Sequence, residues 1–259
     1  GVVVLLVAST IGAQLLSSPA TTSEQTTARL VAEMVSKYHI SQKKIDDGIS
    51  QKLVKRLLKE LDPQKQYLLQ SDVAEFERYR DQLDDLIKAG NVDFARLVFN
   101  RYLQRLDERM TVAHQLIDVP HDFTLDESLP IDRDTIPWAT STAELNERWR
   151  KRVKYDLLSL KLDKVEPAEA RKRLHRRYDT LKRTAHYPDD GEILEMYLSA
   201  MAHCFDPHSS YMSPNTLEDF NITMRLSLEG IGAALRSEDG YTTVAQIVTG
   251  GAAEKDGRL

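Results

Sequence analysis

Cysteine is almost missing from this chain. A single thiol, Cys204, stands among 259 residues, which excludes an intrachain disulfide framework and a cysteine-built metal cluster, and one thiol decides no redox compartment. Charge of one sign is also lacking: 35 Lys and Arg face 40 Asp and Glu, a net charge of −5. That balance gives no global pull toward nucleic acid or acidic lipid. The histidines His39, His114, His121, His175 and His186 show no HExxH or paired ligand spacing, so neither a metal site nor a cofactor is expected. Glycine and proline are sparse, at 11 and 9 residues, in a composition that is 41% hydrophobic and 29% charged. This is the make-up of an ordinary soluble protein, long enough for one large domain or two smaller ones.

Long apolar runs are lacking except at the start. Val2 to Leu16 is strongly apolar and is followed by Ser17-Ser18-Pro19-Ala20 and a Ser/Thr-rich stretch. The run is short for a spanning helix, which needs roughly 20 apolar residues. Its closure by small residues has the form of a signal-peptide core and cleavage region, here without a basic segment or initiating Met. An uncleaved membrane anchor and a buried terminal strand are the alternatives, which leaves membrane association open. At the other end Gly250-Gly251-Ala252-Ala253 opens a turn and a helix that the sequence does not continue far past, so the chain is read as a fragment.

From about Thr26 to Phe220 the pattern is helical. Ile45, Ile49, Leu53, Leu57 and Leu61 form a four-residue stripe that should stop at Asp62-Pro63. Ser71 is expected to cap a second helix carrying Phe76, Tyr79, Leu83 and Leu86, broken at Gly90-Asn91. A third carries Phe94, Val98, Tyr102, Leu106 and Met110. Val119 to Trp138, with Pro120, Pro130 and Pro137, reads as a long irregular connection. Helical period resumes after Thr142 with Leu145, Trp149, Val153 and Leu157, again over Pro167 to Ala185, and after the Pro188–Gly191 turn with Ile193, Tyr197, Ala200 and Cys204.

Residues 61–76 (LDPQKQYLLQSDVAEF) and 205–220 (FDPHSSYMSPNTLEDF) echo one another, with Asp62/Asp206, Pro63/Pro207, Tyr67/Tyr211 and Phe76/Phe220 at a constant offset of 144. Each follows an amphipathic helix beginning after a glycine, Gly48 or Gly191. Chance is the simplest account of so short a match. Two helix–turn–helix hairpins of similar build explain the shared grammar better.

The segment Phe205 to Pro214 (FDPHSSYMSP) is followed by Ser227 to Leu235 (SLEGIGAAL), by a strand from Tyr241 to Val248 after a turn at Glu238-Asp239-Gly240, and by Gly250-Gly251-Ala252-Ala253. Two glycines around Ile231 let successive N–H groups face one point, an anion-binding nest at the entry to a strand. A peptide carboxylate can sit there while the peptide adds along the strand edge. A mere glycine-containing strand entry is the bland alternative.

The order of these motifs resembles the carboxy-terminal processing, or tail-specific, proteases, and most the long periplasmic form with an extended helical domain ahead of its PDZ domain. The resemblance implies a mainly α domain of helical hairpins over 26–226, after a signal peptide and short linker at 1–25. It implies the truncated start of an α+β PDZ domain at 227–259. Gly230, Ile231, Gly232 and Ala233 match the loop that captures a peptide C-terminus. It further implies a serine nucleophile with a lysine base in an α/β protease domain beyond Leu259, hence no catalytic residue in this chain. Substrates with apolar C-terminal tails, a lipoprotein adaptor and a periplasmic location follow from the resemblance alone.

Tempting sites read more plainly as structure. Asp206, His208, Ser209 and Ser210 are neighbours on one short loop, where Asp206 and Ser209 should bond the backbone of their own turn, whereas a triad converges from distant segments. Cys204 falls on the apolar face of a helix. Arg148 to Arg183 holds fourteen Lys/Arg against five Asp/Glu, and Asp72 to Asp134 fifteen acids against eight bases. With few aromatics between them, solvated faces or a mutual contact explain these stretches better than a nucleic-acid surface. Two rivals to the protease reading are a non-catalytic periplasmic scaffold bearing a PDZ module and a helical binding protein whose Gly-Ile-Gly turn is incidental.

Overall fold

The computed structural model describes residues 22–130, 136–224, 230–238 and 241–258. The apolar run at Val2–Leu16 and the Ser18-Pro19-Ala20 cleavage region lie outside those residues. In order, the chain forms α1 (Thr22–Tyr38), α2 (Asp47–Leu61), α3 (Gln70–Phe76), a 3-10 turn (Glu77–Tyr79), α4 (Leu83–Lys88) and the long α5 (Asp93–Asp118). Then come α6 (Thr142–Leu162), α7 (Pro167–Ala185), α8 (Asp190–His203), α9 (Pro214–Met224), β1 (Ala233–Glu238), β2 (Tyr241–Ile247) and α10 (Ala252–Asp256). Between α5 and α6 the described residues form no helix or strand beyond a single bridge at Ala139, the irregular connection its prolines predict. Helix α1 begins at Thr22, ahead of the expected onset near Thr26. Its buried Glu24 pairs with Arg96 of α5 at 2.6 Å.

Local chemistry sets most helix ends. The Asp46 carboxylate accepts the Ile49 amide at 3.1 Å to start α2, and Asp189 accepts Glu192 N while Glu192 returns a bond to Asp189 N, both at 2.9 Å, to start α8. Gly48 and Gly191 are therefore the second residues of their helices, not the residues before them. Ser141 caps α6, and Pro167 opens α7 where a missing amide costs nothing. Helix α2 ends at Leu61, before Pro63, as its pattern predicts.

Two expectations for the 69–88 stretch are corrected. Ser71 does not cap α3: Asp72, one residue on, reaches back to the Leu69 amide at 2.9 Å. The single helix expected through Leu86 is broken after Tyr79, and α4 starts afresh at Leu83. The cause is distant: the Ser50 hydroxyl of α2 accepts the Asp84 amide at 2.7 Å and donates to its carboxylate at 3.0 Å.

The buried side chains form two clusters. One gathers Leu53, Leu57, Phe76, Leu83, Phe94 and Tyr197 from α2, α3, α4, the start of α5 and α8, with α1 laid over it. The other gathers Leu106, Met110, Ile117, Leu145, Trp149 and Tyr178 from the far half of α5 with α6 and α7. Tyr102 packs against both, so α5 is the shared beam of two bundles. Each large side chain so buried stabilises the fold by roughly 1.5–3 kcal/mol.

The echoed segments share a backbone plan. Asp62 N bonds Leu58 O at 3.0 Å and its own carbonyl receives Lys65 N at 3.0 Å; Asp206 N bonds Ala202 O at 3.3 Å and its carbonyl receives Ser209 N at 3.1 Å. Both loops lead from one helix to the next, α2 to α3 and α8 to α9.

After the helical body, β1 and β2 pair antiparallel, with Ala233 opposite Ile247 and a register shift between Ala234 and Leu235. The two strands and α10 come in the order expected of the start of a PDZ domain.

Candidate functional site

Gly230, Ile231, Gly232 and Ala233 occupy the bend that enters β1, with Ala233 as the first strand residue. Ile231 is 56% exposed, so its side chain makes no core. The loop is fixed through its carbonyls. Ala253 N of α10 donates to Ile231 O, and Val248 N donates to Gly232 O, each at 2.9 Å. A trans peptide unit points its C=O and the following N–H in opposite directions. The Gly232 amide is therefore turned away from Ala253 of α10 and the Ala233 amide away from Val248, beside the edge of β1 that has no strand partner among the described residues. Gly232 has φ +75, a conformation that glycine adopts without steric cost. Amides directed away from these two donors, beside a strand edge with no partner among the described residues, can receive an anion and an extended chain.

The loop from Asp206 to Tyr211 is structural in detail. Asp206 accepts the His208 amide at 2.6 Å, the turn bond that its sequence suggests. Ser209 departs from that expectation, because its hydroxyl meets His39 Nε2 at 3.0 Å from the end of α1. Both the Ser41 hydroxyl, at 2.8 Å, and the Ser41 amide, at 3.1 Å, meet His39 Nδ1 and hold the ring in place. His39 thus ties the end of α1 to this loop through Ser209. Cys204 bonds Ala200 O at 3.2 Å, and burial pushes its thiol up to about 11, far from a reactive thiolate.

The acidic and basic stretches do face each other. Glu127 pairs with both Arg150 and Lys154, and Asp107 of α5 meets Lys182 of α7 at 3.4 Å. The sequence reading missed one cluster on the same helices. His114 and His175 approach Nδ1 to Nδ1 at 2.6 Å, with Asp179 and Asp118 at 3.1 Å from their Nε2 atoms. Ring centroids 4.9 Å apart in planes within 4° of parallel place the rings edge to edge, a hydrogen bond that clamps α5 to α7. The signal was an aspartate four residues after each histidine, visible only once the two helices are known to be neighbours. No group of three or more His, Cys, Asp or Glu among the described residues is arranged so that it could hold a metal ion.

Fold and loop together define the class: a helical domain running into a β-hairpin and a short helix. A family model described as the tail specific protease N-terminal domain matches residues 31–215. The tail-specific protease of Haemophilus influenzae is 33% identical over 246 residues, covering 94% of this chain and 35% of that protein. The carboxy-terminal processing protease CtpA of Bacillus subtilis is 30% identical over 87 residues, 33% of this chain and 19% of that protein. The chain belongs to the tail-specific protease family. It spans about a third of the length of the Haemophilus relative.

Proposed function

We propose that this chain supplies the helical scaffold and part of the tail reader of an exported serine endopeptidase that selects proteins by their C-terminal tails. The division is a leader and short linker at 1–25, the scaffold at 26–226 and the beginning of a PDZ domain from 227. In this reading Gly230, Ile231, Gly232 and Ala233 hold the substrate's terminal carboxylate, and the residues before it run along the open edge of β1. The supporting observation is the pair of amides at Gly232 and Ala233, turned outward because the carbonyls of Ile231 and Gly232 are engaged by Ala253 and Val248. Carboxylates bind most firmly where such donors are already oriented.

The cutting chemistry is assigned to a serine nucleophile with a lysine base, in the part of the Haemophilus relative's length that this chain does not cover. Burial can lower a lysine's pKa enough for that role. Substrates with apolar tails, a periplasmic location and a lipoprotein adaptor complete the proposal; no helix among the described residues is long and apolar enough to cross a membrane.

The test is binding to the full-length protein of a peptide ending in apolar residues, as the free acid and as the C-terminal amide. The free acid is expected to bind at least about ten-fold tighter, the worth of one or two charge-assisted hydrogen bonds. Equal binding of the two peptides sinks the carboxylate-loop assignment.

A further inference from the structure

The sequence marks Gly251 only as part of a turn before a helix. Its own backbone, φ −74 and ψ 175, is one that any residue adopts. Space, not conformation, demands glycine here. A Cβ at Gly251 would lie 2.8 Å from Val248 O and 3.0 Å from Gly232 Cα. The reciprocal holds across the gap, where a Cβ at Gly232 would lie 2.7 Å from Ala252 N and 3.0 Å from Gly251 Cα. Backbone therefore rests directly on backbone, with backbone atoms on both sides of the contact and no flexible side chain to give way.

We infer that Gly251 is a positioning residue for tail binding: its bare Cα lets residues 248–253 close on the Gly230–Ala233 loop and aim that loop's amides at the substrate carboxylate. The inference rests on the reading of that loop as the carboxylate site. Gly251 touches no ligand. It acts through the bonds from Val248 N to Gly232 O and from Ala253 N to Ile231 O, both 2.9 Å, which flank it in sequence and set the directions of the Gly232 and Ala233 amides. Gly251 N itself bonds Val248 O at 2.9 Å, so the turn that carries the first donor closes on the glycine that allows the approach. A methyl group at position 251 must push the two segments apart, lengthening both bonds and letting the outward amides rotate off a common target.

The experiment uses the full-length protein with the acid and amide forms of one apolar-tailed peptide, measured on wild type, Gly251→Ala and Gly250→Ala, with a thermal melt of each. Wild type is expected to prefer the acid; if it does not, the carboxylate-loop reading fails and the inference falls with it. Given that preference, Gly251→Ala is expected to weaken acid binding about ten-fold, toward the amide value, while amide binding stays unchanged. Gly250 sits one residue away at φ +79 with nothing within 4 Å of an added Cβ. Gly250→Ala is therefore expected to lower the melting temperature through backbone strain yet keep the preference for the acid. Three results overturn the inference: a Gly251→Ala protein with the wild-type acid-to-amide ratio, one that loses both peptides together with its melting transition, or a Gly250→Ala protein that loses the ratio equally.

Discussion

The two Asp-Pro loops begin alike and end differently. Each starts with an aspartate whose amide bonds the carbonyl four residues back and whose carbonyl receives the amide three residues on. From there the first loop turns inward. Asp62 is fully buried, and its carboxylate accepts the amides of Gln66, Tyr67 and Leu68 at 2.8–3.0 Å. Tyr67 packs edge-on to Tyr102 and Trp149, and Phe76 is fully buried against Phe94. The second loop stays outside: the Asp206 carboxylate accepts the His208 amide, and Phe220 is 44% exposed. One backbone plan serves as a core joint in one place and as a surface joint in the other. The difference lies in what surrounds the loop, since α5 and α6 cover the first while α9 has no buried residue and touches α8 through the Thr216 hydroxyl on Glu195 at 2.8 Å.

The largest expected effect comes from removing the buried carboxylate. Asp62→Ala strands three amides, those of Gln66 and Leu68 buried and that of Tyr67 partly buried, at about 1–3 kcal/mol each, so a loss of about 4–6 kcal/mol is expected in urea unfolding. Asp206→Ala removes one bond at the surface and should cost about 0.5–1 kcal/mol. Equal costs would erase the contrast. Phe76→Ala comes next, at about 3–4 kcal/mol for a fully buried phenylalanine.

How much of this contrast was written in the sequence depends on the range of the interaction. The stop of α2 before Pro63 and the Pro167 start of α7 are set within one helical turn, and local pattern finds them; the Asp189–Glu192 box is equally local, yet the pattern there reads only as a turn ending at Gly191. The break after Tyr79 is not local. Phe76, Tyr79, Leu83 and Leu86 keep helical spacing, yet Ser50, more than thirty residues earlier, recruits the Asp84 amide and starts a new helix. The fates of Phe76 and Phe220 were equally hidden, because identical residues at matching positions become core or surface according to which helices return to cover them. At the tail loop the glycine pattern named the residues that bend. It could not show that Gly232 and Gly251 meet, since that contact joins the two ends of the β1–β2 hairpin.

Acid titration separates the loops further. Burial by itself would raise the Asp72 carboxyl. Arg105, the Leu69 amide and Arg101 outweigh it and hold the group below the ordinary carboxylate range. A lowered value in the folded state means that this contribution is fully present above the unfolded value near pH 4 and is lost as pH falls through the folded one. Asp72→Asn should cost about 2–3 kcal/mol at pH 7, from charge-assisted bonds to Arg101 at 2.6 Å and Arg105 at 2.9 Å. The variant should also show a smaller drop in melting temperature than wild type between pH 6 and pH 3. An unchanged acid slope would remove Asp72 from the account of the first loop's stability.

The second loop has its own tie from the side. Ser199 of α8 donates to Tyr211 O at 2.8 Å and accepts Tyr211 N at 3.2 Å, holding the half-buried tyrosine that matches Tyr67. Ser199→Ala should cost about 1 kcal/mol by urea unfolding, well short of the Asp62 effect, because water can reach the freed groups. A cost near that of Asp62→Ala would mean that the second loop is bound into the core no less firmly than the first.

The smallest expected effect is the most discriminating. Phe220 is the positional twin of Phe76, and both follow the same Asp-Pro–Tyr grammar, yet Leu217, Phe220 and Met224 lie on α9 with 47%, 44% and 64% of their surfaces exposed. An aromatic ring left this far in water gains little from its neighbours, so Phe220→Ala should change the stability of this chain by no more than about 0.5 kcal/mol. The same truncation at Phe76 opens a cavity that packed helices cannot close, which is where most of its cost arises. If Phe220→Ala instead destabilised the helical body by several kcal/mol, α9 would have to fold back onto that body in solution, and the distinction between an inward and an outward joint would collapse.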